Sequence, residues 1–414
     1  MEKTIKDKYY LECITCGKTL EANPAALTCP DCGDYKGTLD VLYDYDRISE
    51  NLANIDFIGE NIYEIFFDIL PFDNTELLPP LSVGETPLYF NERLNKALAT
   101  TGTYIKDDTV NPSSSYKDRA TAIAIAMAKQ DNKDTIAVAS TGNAAASTAT
   151  LAAAAGIKAV VFVPSSAPEA KLTQLYIHGA EVLKFDANYD EIFDLCTECC
   201  NRFGWYNRNT AINPFTGEGK KTSAYEIFLD LGTAPDSIII PVGDGCILSG
   251  IYKGYFDLLK LGLINKIPRL FGIQAEGCAP LVKSFREKRS IERWEKIGTE
   301  ADSIAVGFPR DGMKALRAVS ETKGEFISVS DQAIFEAQKE LAQYAGIFAE
   351  PSASAAYGGY KKLLTGDLID RNETAVIMIT GSGLKDIVFT SGRLNMSDKP
   401  LKPNIQSVAE KLKM

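Results

Sequence analysis

The sequence predicts an α/β protein with two domains, each built on a parallel-type sheet covered by helices, and a small cysteine-bearing module at the N-terminus. Three observations predict it. Short apolar runs rich in Ile and Val alternate with helical patterns from about residue 103 onward, as expected of strands buried on both faces. Polar and glycine-rich stretches fall where those strands hand over to helices, the usual place for ligands in such sheets. Two Cys-x-x-Cys pairs open the chain. At 414 residues and 45% hydrophobic, the chain can bury a large core without disulfides.

The elements follow in order. Cys13 and Cys16, then Cys29 and Cys32, each form a pair closed by glycine, in CITCG and CPDCG. Two thiolates from a tight turn can hold one ion, and two such turns complete a closed tetrahedral site. The expectation is a structural zinc in a ribbon over residues 1–42. The other five cysteines, Cys196, Cys199, Cys200, Cys246 and Cys278, lack that spacing. Within NYDEIFDLCTECCNRFG, Cys196, Cys199 and Cys200 share a helical face with Ile192 and Phe193, which reads as burial.

Residues of about 40–100 mix short helical stretches with proline-marked turns. TYIKDD is a strand, followed by the loop VNPSSSYKD and a helix through RATAIAIAMAKQ. TIAVAS (135–140) is a strand, NAAASTATLAAAAG (143–156) a helix stopped by glycine, and IKAVVFVP (157–164) a strand. A helix over Ala167–His178, a strand in AEVLKFD and the cysteine-bearing helix follow. DSIIIPVG (236–243) and PRLFGIQAEG are strands flanking a helix through ILSGIYKGYFDLLKLG, and TAVIMITGSG (374–383) is a strand entering a glycine turn. The expected division is a larger domain over 43–131 and 203–395, a smaller one over 132–202, and a tail over 396–414.

Composition narrows the function. Lys+Arg number 44 and Asp+Glu 55, a net charge of −11, which argues against nucleic-acid or anionic-membrane partners. No apolar run approaches the roughly 20 residues of a membrane span, and the charged start lacks a signal-peptide core, so the expected location is cytoplasmic. The single histidine, His178, sits at a helix end closed by glycine. It would have to serve any Ser-His-Asp or Cys-His mechanism, and multi-histidine metal chemistry is excluded.

Four loops carry the chemistry: NPSSSYKDR (111–119), STGNAA (140–145), PVGDGCILSG (241–250) and TGSGLKD (380–386). Lys117 opens a helix, where the dipole disfavours an ammonium and favours the neutral amine that carbonyl chemistry needs. PVGDGC is a glycine turn between strand and helix, suited to holding a phosphate on backbone N–H groups. GEGKKT (217–222) is not a P-loop, because the spacing is wrong.

Together these loops, with INPF-x-x-EG-x-KT (212–222), AEPSASAA (349–356) and the TG-x-GLKD ending, make the chain resemble the threonine synthase family of fold-type II pyridoxal-phosphate enzymes. The resemblance runs from the ribbon to about residue 390. It implies pyridoxal 5′-phosphate as cofactor, with Lys117 as the lysine that binds it and shuttles protons. Asn143 would meet its phenolic oxygen, Gly243, Asp244, Gly245, Cys246 and Ile247 its phosphate, and Thr380 its ring nitrogen. Ser140, Thr141 and Gly142 would receive the carboxylate of a small amino-acid substrate, with Ser115 and Lys220 beside it. The implied reaction converts O-phosphohomoserine and water to threonine and phosphate, in a homodimer.

The chain departs from the family pattern at the substrate phosphate. Thr216 stands at an arginine position, Asp244 at an asparagine, Ala144 at a threonine and Ser114 at a glycine. Lys220 replaces a glutamine; with Lys221, Arg119 and Ser113 it is a candidate to restore the lost donors. The alternative implied by these departures is an ammonia-lyase or β/γ-replacement enzyme on an unphosphorylated amino acid such as serine or threonine.

Overall fold

The computed structural model describes residues 8–52, 61–394, 396 and 400–413. At the N-terminus, β1 (Tyr10–Cys13), β2 (Thr19–Leu20) and β3 (Leu39–Leu42) form an antiparallel sheet in the order β2-β1-β3. The strands β4 (Leu88–Phe90) and β5 (Thr103–Asp107) then begin a larger sheet. A separate run follows: β6 (Thr135–Ala139), β7 (Lys158–Pro164), β8 (Glu181–Phe185) and the two-residue β9 (Tyr206–Asn207). The chain returns to the larger sheet with β10 (Ser237–Pro241), β11 (Arg269–Ala275), β12 (Glu325–Val329) and β13 (Ala375–Ile379). The larger sheet has the order β12-β11-β10-β13-β5-β4 and the smaller β8-β7-β6-β9. Every pairing in both is parallel except β4 with β5.

The alternation expected of these strands is realised as two-sided burial. All five residues of β10 are buried. Ile238 and Ile240 join one core with Leu248, Ile251 and Tyr255 of the helix Cys246–Lys260. Ile239, pointing the other way, joins a second core with Ala353, Ala356 and Tyr360 of the helix Pro351–Thr365. A strand with helices on both faces has no solvent side to mark with polar residues, hence its continuous apolar run. The helix Asn143–Ala155 stops at Gly156, whose φ of 67° is the left-handed cap that glycine adopts without a Cβ penalty.

Three strands of the two larger sheets lie outside the expected pattern. β9 is too short to show any periodicity, although it supplies the edge of the smaller sheet. β12, EFISV, is an outer strand with a partly exposed Glu325 and Ser328, so its run is broken by polar residues. The antiparallel β4 is a partly exposed edge strand. Cys196 and Cys200 are buried against Ile192 and Phe193 on the helix Tyr189–Phe203, as the shared face predicts. His178 caps the helix Glu169–Ile177 and is exposed, bonding to the Gln174 carbonyl and standing 3.5 Å from Thr150 Oγ1.

The N-terminal antiparallel sheet is locked to the larger sheet's helices. Lys314 Nζ donates to the Leu39 carbonyl at 2.7 Å, and Lys314 and Arg317 both pair with Asp40, at 2.8 and 2.9 Å. The Sγ atoms of Cys13, Cys16, Cys29 and Cys32 lie within 4.8 Å of one another. Among the described residues no helix is long and apolar enough to cross a membrane.

Candidate active site

A cavity of about 590 Å³ opens at the carboxyl ends of β6, β10 and β13. The strand-to-helix turns meet there, so residues distant in sequence become neighbours. It brings together Lys117, the 140–143 turn, Lys220, the Gly243–Ile247 turn and Thr380. Ala144 also lines it. Ser115 does not: it is fully buried behind Lys117, bridged to Gly381 and 3.4 Å from Ser113 Oγ. Thr216 does not line this cavity either; with Lys220 it borders a neighbouring one of about 230 Å³ beneath the ribbon.

Lys117 is the first residue of the helix Lys117–Gln130. Among the described residues its Nζ has no hydrogen-bond or ion-pair partner. Burial pushes its pKa below that of a free lysine; nearby Glu350 opposes this and Arg208 adds to it. The loop before it is pinned from behind. Asp118 accepts from both the backbone N–H and the hydroxyl of Ser113, each at 2.6 Å, and Lys385 Nζ donates to the Ser113 carbonyl at 2.6 Å. Ser114 sits at φ 58°, the left-handed region that favours glycine, which explains the glycine in the family pattern at this position.

Asn143 Nδ2 donates to both carboxylate oxygens of Glu350, at 3.1 and 3.0 Å. Thr380 is buried, its carbonyl accepting from the Tyr116 N–H at 2.9 Å. In the glycine turn, Gly245 has φ 95°, and a Cβ there would stand 2.9 Å from Ala315 Cβ and 3.0 Å from the Asp311 carbonyl. Only glycine lets the turn seat against residues 303–311 and start the 15-residue helix Cys246–Lys260 at the cavity wall. The first N–H groups of that helix lack acceptors in their own helix, and its positive end faces the turn.

These features fit pyridoxal phosphate: an unpartnered interior amine, a glycine turn at a helix N-terminus for the phosphate, and side-chain hydroxyl and amide groups between them. The acid in the turn is restrained. Asp244 Oδ1 accepts from the Arg310 N–H at 3.2 Å, and burial raises its pKa, favouring the neutral form.

Three of the expected donors are corrected by the structure. Arg119 is fully buried away from the cavity, where Asp108 and Glu226 take its guanidinium; the Asp108 contacts are 2.6 and 3.0 Å. Lys221 is likewise held by Glu218, by Asp257 at 2.8 Å and by the Ile69 carbonyl at 2.6 Å. Ser113 is occupied by Asp118. Lys220 alone of the candidates reaches the cavity, buried and bonded to Thr216 Oγ1 at 3.0 Å.

Sequence reasoning missed Arg208 and Glu350 as cavity residues. Arg208 immediately follows β9, the usual place for a ligand contact, but a two-residue strand leaves no pattern to reveal it. Glu350 lies inside the quoted AEPSASAA segment, yet nothing in that segment shows that it meets Asn143. At the mouth, Asp190 pairs with Arg293 at 3.1 Å and Arg310 at 2.7 Å, joining the smaller sheet's helices to the segment over the cavity.

Comparison with known proteins agrees with this geometry. The pyridoxal-phosphate dependent enzyme family model matches residues 80–381. The threonine synthase of Methanocaldococcus jannaschii is 35% identical over 394 residues, covering 94% of this chain and 95% of that protein. That of Methanosarcina acetivorans is 36% identical over 381 residues, covering 91% and 92%. That of Mycobacterium tuberculosis is 36% identical over 320 residues, covering 77% and 87%. Among solved structures, tomato threonine deaminase isoform 2 shares the fold with a TM-score of 0.65 at 20% identity, over 81% of this chain and 95% of that one. Maize serine racemase does so with a TM-score of 0.63 at 19% identity, over 75% and 92%. The chain belongs to the threonine synthase family of pyridoxal-phosphate dependent enzymes.

Proposed function

We propose that this protein is a pyridoxal-phosphate dependent lyase that converts O-phosphohomoserine and water to threonine and phosphate. The observation that carries the reading is the single cavity uniting Lys117, Asn143, the glycine turn and Thr380, in a chain alignable with threonine synthases over nearly its full length.

The cofactor, when bound, supplies an electron sink for charge developing at the substrate α-carbon. Lys117 Nζ, uncharged more readily than a free lysine, takes the α-proton and returns it. Glu350 stands beside it as the nearest carboxylate influence on that amine and orients the Asn143 amide. The Ser140–Thr141–Gly142 turn, at the N-terminus of the helix Asn143–Ala155, receives the substrate carboxylate. In the net reaction a β-proton is lost and the Cγ–O bond breaks, its electron pair leaving with phosphate. Cγ then gains a proton and Cβ the hydroxyl of water. Gly243–Ile247 would hold the cofactor phosphate and Thr380 would face the ring nitrogen.

We further assign a structural zinc to Cys13, Cys16, Cys29 and Cys32, supported by the clustering of four sulfurs, the number a closed tetrahedral site takes. Loss of one zinc per chain on chelation, with a lowered melting temperature, tests it; a metal-free protein of unchanged stability refutes it. The proposal includes the division into a ribbon (1–42), larger (43–131 and 203–395) and smaller (132–202) domains and a tail (396–414), with the β9 pairing crossing that boundary. It also includes a cytoplasmic location and a homodimer, which sedimentation in solution checks.

The deciding assay is stoichiometric phosphate and threonine from O-phosphohomoserine by the cofactor-loaded protein. Turnover of serine or threonine to a keto acid, with none of the phosphoester, would instead favour the lyase on an unphosphorylated amino acid.

A further inference from the structure

Two cations in the cavity wall are in no ion pair among the described residues. Arg208 is fully buried, and among the described residues its guanidinium bonds only to hydroxyls: Thr121 Oγ1 at 3.2 and 3.0 Å, and Thr210 Oγ1 at 3.3 Å. Lys220 is 1% exposed, and among the described residues its ammonium bonds only to Thr216 Oγ1. Neither is in an ion pair among the described residues, and both line the cavity of Lys117. Leaving a cation in the interior without a carboxylate is costly, and folded chains rarely keep two together unless something else supplies the charge. Burial first, then the neighbouring charges of Arg208 and Lys117, bring Lys220 down to about 8, with Asp311 opposing them.

The position of the pair within the cavity says what it would take. The glycine turn and the N-terminus of the helix Cys246–Lys260 form one phosphate-sized donor set from backbone groups. Arg208 and Lys220 come from a different segment, residues 208–220, and form a second set from side chains. A guanidinium fork and an ammonium together match the charge and geometry of a phosphate dianion. Thr216, the hydroxyl neighbour of Lys220, stands where the family pattern around INPF carries an arginine, so this chain has moved the charge to neighbouring positions.

We infer that Arg208 and Lys220 form the receptor for the phosphoryl group of the substrate, and that they replace the arginine missing at Thr216. This rests on the proposed reaction, but it is tested separately by binding. The measurements are inhibition of turnover by inorganic phosphate, phosphate binding by titration calorimetry on the cofactor-loaded protein, and the cofactor's absorbance and affinity. Lys220→Met and Arg208→Met are each expected to weaken phosphate binding about 10- to 100-fold, the loss of one charge-assisted contact. The KM for O-phosphohomoserine rises with them, while cofactor absorbance and affinity stay at the wild-type level. Lys220→Arg should recover most of the loss.

Loss of cofactor affinity in these variants would overturn the inference and assign the pair to the cofactor phosphate. Unchanged phosphate binding in both would overturn it outright. If the wild-type protein binds phosphate through this pair yet makes no threonine, the proposed reaction fails and the receptor stands. Should Arg208→Met not fold, Arg208→Lys, which keeps the charge but loses the fork, must weaken phosphate binding alone for the inference to hold.

Discussion

Lys220 and Lys221 are adjacent, buried to the same degree, and opposite in circumstance. Lys221 is enclosed by Glu218 and Asp257, which Tyr43, Tyr225 and Lys253 hold in turn, with hydroxyl and ammonium contacts of 2.5–2.7 Å. A similar cluster surrounds Arg119, where Asp108, Glu226, Lys106 and Thr86 leave no charge uncompensated. Lys220, Arg208 and Lys117 line the cavity and are in no ion pair among the described residues. Burial and residue type are shared, so neither distinguishes a structural cation from a functional one. The distinction is whether the protein itself supplies the counter-charge. Removing a partner from a satisfied buried pair strands a charge, whereas neutralising an unsatisfied cation relieves one.

This contrast can be broken at several points. The largest effect is expected at Lys117: Lys117→Ala should lower turnover by a factor of about 10⁴ and abolish the visible absorbance of lysine-bound cofactor, while urea unfolding stays near wild type. A variant that keeps its absorbance would displace Lys117 from its role. Next is Arg119→Met, which leaves Asp108 and Glu226 facing each other inside the core. It should cost about 3–5 kcal/mol by urea titration, with KM unchanged in the protein that remains folded. A rise in KM at full stability would move Arg119 into the site.

The acid limb of the stability curve gives a somewhat smaller effect. Burial alone would raise the pKa of Glu226, but Arg119 and Lys106 bring it down to about 2, from 4.5 for a free glutamate. A depressed carboxyl stabilises the fold fully above pH 4.5 and loses that contribution as pH falls toward 2. The difference in pKa corresponds to roughly 3 kcal/mol. Glu226→Gln should remove this stretch of pH dependence, seen as unfolding free energy against pH; an unaltered slope between pH 5 and 2 would show that other groups govern it. The smallest effect is expected at Ser114. Ser114→Gly relieves a left-handed backbone and should change stability by no more than about 1 kcal/mol, with kcat/KM within about twofold of wild type.

The parallel strands were legible because double-sided burial writes itself as unbroken apolar runs. β6, β7 and β10 start and stop within about two residues of their expected ends. The cysteine pairs were legible because ligand spacing is local. β9 was not, and with it went Arg208, whose significance depends on a strand edge only two residues long. Arg119 and Lys221 were read as possible phosphate donors because sequence adjacency to the motifs is visible while pairing to Asp108 or Asp257 is not. Asp257 is 36 positions from Lys221 and Glu226 is 107 from Arg119, so only the fold brings these counter-charges into contact.

The most direct test compares the two adjacent lysines. Lys220→Met and Lys221→Met would be measured side by side for unfolding free energy in urea and for inhibition by inorganic phosphate. Lys220→Met is expected to be as stable as wild type or more so, and to bind phosphate about 10- to 100-fold more weakly. Lys221→Met is expected to lose about 3–5 kcal/mol of stability, while its folded fraction binds phosphate normally. Equal destabilisation by both, or equal loss of phosphate binding, would contradict this distinction.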